Sequence, residues 1–117
     1  MITGLHAILF AADAPAARAF FRDVLGWDHV DAGDGWLIFK TPPAELAMHP
    51  VPAGGERHEV FLMCDDVAAT RAELEAKGVR FTHPIEERAF GRTTAFEVPG
   101  AGMIGLYQPY HPTAAGK

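Results

Sequence analysis

The chain has 117 residues, 49% of them hydrophobic, with 10 basic side chains against 15 acidic ones and a formal net charge of −5. That length makes one compact domain or two half-domains sharing a core, and the acidic balance without a Lys/Arg cluster argues against nucleic acid and anionic membrane as partners. No stretch approaches the roughly 20 apolar residues of a spanning helix, the N-terminus lacks the layout of a signal peptide, and the single Cys64 cannot form an internal disulfide, so a cytoplasmic protein is expected.

In chain order, residues 4–11 alternate well enough for a strand with two largely apolar faces, both expected to be covered. Asp13 stands where a helix should begin, Pro15 is tolerated in its first turn, and Ala17, Phe20, Phe21, Val24 and Leu25 form an apolar stripe that Gly26 ends. Residues 27–30 and 36–41 flank an Ala32-Gly33-Asp34-Gly35 turn and predict a hairpin. Pro42-Pro43 forces a break, residues 45–49 resume as a short strand, and the Pro/Gly-rich residues 51–57 are taken as a linker.

The second half repeats the plan. A strand is expected over residues 59–64, a helix over 67–77 capped by Asp66 and stopped by Gly78, and a strand over 79–82. Residues 83–92, with a Pro, a charge cluster and a Gly, read as a long mobile loop; strands follow over 93–98 and 103–108, then a Pro/Ala/Gly-rich tail over 110–117. A shift of 53 positions places Asp13 on Asp66, Ala16 on Ala69, Arg18 on Arg71 and Ala19 on Ala72, so the two halves are copies of one supersecondary unit. Module 1 spans about residues 4–50 and module 2 about 58–109. The fold class expected is α+β: two β-α-β-β-β modules forming a cup-shaped, mainly antiparallel sheet of about eight strands, with both helices on the convex side.

The stretches LHAILFAAD with FFRDVLGW, CDDVAATRAELEAKGV and VPGAGMIGLYQP resemble those of the vicinal-oxygen-chelate superfamily, which includes glyoxalase I, bleomycin-resistance proteins and extradiol dioxygenases. The resemblance covers Leu5 to Pro109. It implies a cup-shaped pair of modules, often a homodimer, that binds a small molecule and in many members holds a divalent metal, here manganese, zinc, nickel or iron. It does not imply one reaction, since the fold hosts several.

Carried over residue by residue, the resemblance implies His6 as the first ligand, seven before Asp13, and Glu45 in Glu45-Leu46-Ala47-Met48 as the second. The third falls on Glu59, seven before Asp66; His58 is one residue off and would face the other side of a strand unless a bulge intervened. The fourth position, normally a Glu, is Gly105 within Ile104-Gly105-Leu106, which offers a metal nothing.

Two functions remain open at this level. In one, His6, Glu45 and Glu59 surround a divalent ion acting on an oxygen-rich metabolite, with Glu59 as base, Tyr107 as a catalytic hydroxyl, and Tyr107 or His49 orienting the substrate. In the other, a metal-free cup sequesters a partly aromatic compound, with Trp36, Phe61, Met63 and Tyr107 as its walls and His49 at the rim. A third reading, an interaction protein without a pocket, has the cup filled by Ile8, Phe10, Phe61 and Met63. Asp65, Asp66 and Arg71 are taken as capping and surface residues, and His111 has no assigned partner.

Overall fold

The computed structural model describes residues 6–47 and 59–112. Helix α1 (Ala14–Ala19) starts at Asp13, whose carboxylate accepts a hydrogen bond from the Ala16 N–H at 3.0 Å. It runs directly into a π-helical turn over Phe20–Val24 that closes with Leu25 N–H donating to the Phe20 carbonyl. The wider turn lets two consecutive rings, Phe20 and Phe21, both point inward, edge to face at 5.6 Å. Strands β1 (His29–Asp31) and β2 (Leu37–Phe39) form the expected antiparallel hairpin. It reaches the core through Phe39, which packs on Phe21 at 5.7 Å.

The second half supplies a four-stranded sheet. Strand β3 (Phe61–Met63) leads to α2 (Val67–Ala76), then come β4 (Glu86–Arg88), β5 (Gly91–Val98) and β6 (Gly102–Pro109), in the spatial order β3-β6-β5-β4. Among the described strands, only the β3–β6 pair is parallel. Asp66 caps α2 as Asp13 caps α1, its carboxylate accepting from the Ala69 N–H at 3.0 Å, so the repeat read in the sequence is also a repeat of hydrogen bonding. The Gln108 side chain, reaching across from β6, accepts from the Val67 N–H at 3.0 Å and satisfies another donor of the same helix end. Gly26 and Gly78 both take positive φ where the helices stop.

One core joins the halves. Ala17, Phe20 and Phe21 pack with Val67, Leu74, Val79, Phe96, Val98, Ile104 and Leu106. Phe20 stacks on Phe96 of β5 at 6.0 Å, so both helices cover the same face of the four-stranded sheet. The Asp13 N–H donates to the Gly100 carbonyl at 3.0 Å, fixing the start of α1 to the β5–β6 turn.

Several expectations are corrected. Among the described residues, 6–12 form no ladder, and most of their apolar side chains are exposed, Ile8 by 65% and Phe10 by 91%, although Ala11 packs against the core. Residues 45–47, the natural partner of such a strand in the first module, are also outside any ladder, so the described residues give six strands in two sheets rather than an eight-stranded cup. Residues 83–92 are not one long loop, since Glu86–Arg88 and Gly91 onward pair as a hairpin. Arg71 is more than a surface residue. Its guanidinium lies 4.8 Å over the Phe81 ring and donates to the His83 carbonyl at 2.7 Å and to Thr94 Oγ1 at 3.2 Å. The buried Thr94 hydroxyl donates to the same carbonyl, tying α2, the chain after it and β5 into one knot. The expected strand over 79–82 is reduced to a single bridge, Phe81 to Phe96. The proposed linker 51–57, and His49 and His58, lie outside the described residues.

Because the two caps have the same geometry, Asp13→Ala and Asp66→Ala are expected to destabilise by similar amounts, about 1 kcal/mol each. Urea denaturation of the single variants and the double variant measures this; the two effects should add, since the caps share no partner.

Candidate functional site

Alternation along β6 sorts its side chains. Ile104 and Leu106 are buried under the helices, which puts Gly105 and Tyr107 on the opposite face. On neighbouring β3, Leu62 packs against the core while Phe61 and Met63 pair with Gly105 and Tyr107. Phe61, Met63 and Tyr107 therefore share one face of the sheet.

Phe61 fills the space that Gly105 leaves. A Cβ at Gly105 would run into the Phe61 ring, so the phenyl lies directly on the backbone of β6 where metal-using relatives are expected to carry their fourth ligand. The ring stands edge-on to Tyr107, with centroids 5.6 Å apart and planes at 83°. Phe90, at the tip of the β4–β5 hairpin, approaches Tyr107 at 6.4 Å and 73°. In the order β3-β6-β5-β4 the two phenyls come from opposite sides, leaving Tyr107 as a floor between aromatic walls. The Phe90 tip is held by the C-terminal segment: the Tyr110 N–H donates to the Phe90 carbonyl at 2.9 Å and the Tyr110 hydroxyl donates to Glu87, which also faces Arg92 at 3.4 Å.

The phenol end of Tyr107 is polar. Its hydroxyl lies 3.4 Å from Glu45 Oε1, to which it donates, and 3.2 Å from His111 Nε2; Glu45 and His111 are 4.0 Å apart. The Glu45 side chain is 18% exposed and that of His111 40%. His111 was not singled out by the sequence, because it sits four residues past Tyr107 in a segment with no periodic pattern. Beside this group an open cleft of about 540 Å³ is lined by Pro43, Met63, Cys64, Asp65, Gln108, Pro109 and His111. The Cys64 thiol faces the Tyr107 carbonyl at 3.6 Å; burial pushes its pKa up, so it lines the cleft as a neutral thiol rather than a nucleophile.

Burial first, and then the Glu45 charge and hydrogen bond, raise the Tyr107 pKa above the ordinary tyrosine value. A raised pKa favours the protonated form in the folded protein. The associated stability is thus complete below pH of about 10 and is lost as pH rises through the elevated folded value. Phenolate absorbance should therefore titrate late, with part of the shift removed in Glu45→Gln; a midpoint at the ordinary tyrosine value would show that the Glu45 contact does not form.

The remaining candidates are not gathered here. His6 is exposed ahead of α1, and Glu59 is exposed just before β3. Trp36 belongs to the β1–β2 hairpin, under the Arg18 guanidinium at 4.6 Å. Among the described residues, no group of three or more His, Cys, Asp or Glu side chains could hold a metal ion. Among the described residues His6, Glu45 and Glu59 form no such group and Gly105 is covered by a phenyl ring, so the described residues do not fit a divalent-ion centre. No described helix is long and apolar enough to cross a membrane.

Among solved structures, the chain is similar to TnmS3, an antibiotic binding protein from Streptomyces sp. CB03234, at 28% identity, covering 93% of this chain and 99% of that one, with a TM-score of 0.63. A glyoxalase/bleomycin resistance protein from the same Streptomyces strain is also 28% identical, over 84% and 93% of the two chains, with a TM-score of 0.57. A lactoylglutathione lyase from Agrobacterium tumefaciens shares the fold at 21% identity, 90% and 92% coverage and a TM-score of 0.63. No curated protein matches the chain. The family model described as the Glyoxalase/Bleomycin resistance protein/Dioxygenase superfamily matches residues 4–102, and the chain belongs to that superfamily.

Proposed function

We propose that the protein sequesters a small, partly aromatic molecule without a metal, on the sheet face where Phe61, Tyr107 and Phe90 meet. The observation that carries this reading is the Phe61 ring lying on Gly105. A coordination corner has become an aromatic wall, and beside it runs a cleft large enough for a small ligand. The likeness to an antibiotic binding protein at 28% identity over nearly the whole of both chains supports it.

The protein acts as a homodimer in this reading. Ile8, Phe10, Val30, Trp36, Ile38 and Leu46 of the first half are all exposed, an apolar load unusual for a monomer, and a second copy would cover it. Sedimentation equilibrium at micromolar concentration should give twice the chain mass.

A thermal-shift screen of planar aromatic antibiotics, followed by calorimetry on the hits, tests the ligand reading; saturable binding lost in Phe61→Ala is expected. The rival reading is a divalent-metal enzyme, in which His6, Glu45 and Glu59 must converge. A near-stoichiometric ion in untagged protein that disappears in His6→Ala would overturn the sequestration proposal.

A further inference from the structure

Phe90 is a large apolar side chain in a place that folding does not call for. It sits with Ala89 in the tight turn between Arg88 and Gly91, is 53% exposed and is no member of the hydrophobic core. A turn residue with half its surface in water adds little to stability, and a tip left to itself would carry the ring away from Tyr107. Its neighbours tie it down. The Tyr110 N–H donates to the Phe90 carbonyl at 2.9 Å and carries the β5–β6 pairing one step into the turn. The Tyr110 hydroxyl donates to Glu87 of β4, and Glu87 is held in turn by Arg92, its cross-strand partner, at 3.4 Å. Beneath the turn, β5 and β6 run in close contact, since a Cβ at Gly91 would meet the Gln108 carbonyl.

This strap and the ring it holds lie on opposite faces of the sheet. Arg92 shares its alternation with the buried Thr94 and Phe96, which puts Arg92, Glu87 and the Tyr110 hydroxyl on the helix side. The Phe90 ring meets Tyr107 on the other side at 6.4 Å. A ligand resting on Tyr107 therefore does not touch the strap. Resting on the sequestration reading above, we propose that Tyr110 and Glu87 are positioning residues that hold Phe90 as a wall of the aromatic site, so that affinity for the ligand is set in part from the far face of the sheet. Holding the wall in place before the ligand arrives removes an ordering cost from binding, and that saving is lost when the strap is cut.

The probe is 2-naphthol, titrated by NMR against the wild type and variants that keep native circular dichroism. Phe90→Ala is expected to weaken binding by about tenfold and Tyr110→Phe, which removes only the hydroxyl, by about three- to fivefold. Because Tyr110 acts through Phe90, adding Tyr110→Phe to Phe90→Ala should cost less than about twofold more. Glu87→Ala should match Tyr110→Phe, and Glu87→Gln, which keeps an acceptor for the phenol, should restore most of the affinity. In the free protein, the cross-relaxation between the Phe90 and Tyr107 rings should weaken in Tyr110→Phe and Glu87→Ala. If that signal is unchanged in both, the strap does not place the ring and the inference falls. A loss from Tyr110→Phe that is just as large in the Phe90→Ala background also overturns it, because Tyr110 then acts by another route, while the aromatic site stands. Failure of 2-naphthol to bind the wild type up to its solubility, with Phe61 and Tyr107 resonances unmoved, removes the sequestration reading and the inference with it.

Discussion

Phe96→Ala is expected to destabilise the protein by about 3–5 kcal/mol, a large part of the roughly 5–15 kcal/mol that holds a domain together. Phe96 has no exposed surface. Its ring lies between Phe20 of the π-helical turn and Phe81, at 6.0 and 5.5 Å, so it is the point where the first half of the chain docks onto the sheet of the second. Alanine would leave a cavity bounded by elements from both halves, which cannot collapse without moving α1 away from Gly100. Phe10→Ala removes the same side chain from a position 91% exposed in the single chain and, measured at a concentration where the chain is monomeric, should change stability by less than about 0.5 kcal/mol. Urea denaturation of the pair decides the matter, and similar small losses in both would mean that α1 does not pack on β5.

Tyr107→Ala is expected to have the largest effect on ligand binding, weakening it by about 30-fold or more, the scale of a hot-spot aromatic residue. Three rings meet Tyr107, from Phe61, Phe90 and His111 at 5.6, 6.4 and 6.1 Å, so truncation removes the floor and leaves the walls unsupported. Tyr107→Phe keeps the ring and loses only the hydroxyl, and should cost about tenfold or less. Calorimetry with a ligand that stabilises the wild type measures both. If the two variants bind alike, the phenol rather than the ring carries the affinity, and the aromatic floor is the wrong description.

Much of the fold was visible in local patterns. Asp13 and Asp66 mark both helix starts because capping chemistry is local, needing only a carboxylate within three residues of an N–H. The β1–β2 hairpin and the long β5–β6 pair follow from turn residues between β-branched and aromatic runs. What local pattern does not decide is pairing. Residues 6–12 alternate as a strand should, yet a strand exists only where a neighbour takes its hydrogen bonds, and nothing in the segment itself specifies that neighbour. Strand β4 was missed for the converse reason. Glu86, Glu87 and Arg88 have the charges that guard a sheet edge, so an edge strand resembles a loop when read alone.

The site divides in the same way. Phe61, Met63 and Tyr107 follow from strand alternation, which fixes a face without knowledge of the fold. His111 and Phe90 do not, because each reaches Tyr107 through a bend whose direction is set by contacts far along the chain. Arg71 was undervalued for a related reason. Its partners, His83 and Thr94, are 12 and 23 residues away, and an arginine on an exposed-looking helix carries no sign of them.

The strand order β3-β6-β5-β4 has a consequence for synthesis in the cell. The interior strand between β3 and β5 is β6, the last of the four to be made, so the emerging polypeptide cannot close its sheet until residues through Pro109 have left the ribosome. Until then β3 has no neighbour, and β5 keeps an open edge on the side away from β4. A chain halted before Gly102 would present both as templates for other nascent chains. Such a truncation should accumulate in inclusion bodies and recruit chaperones.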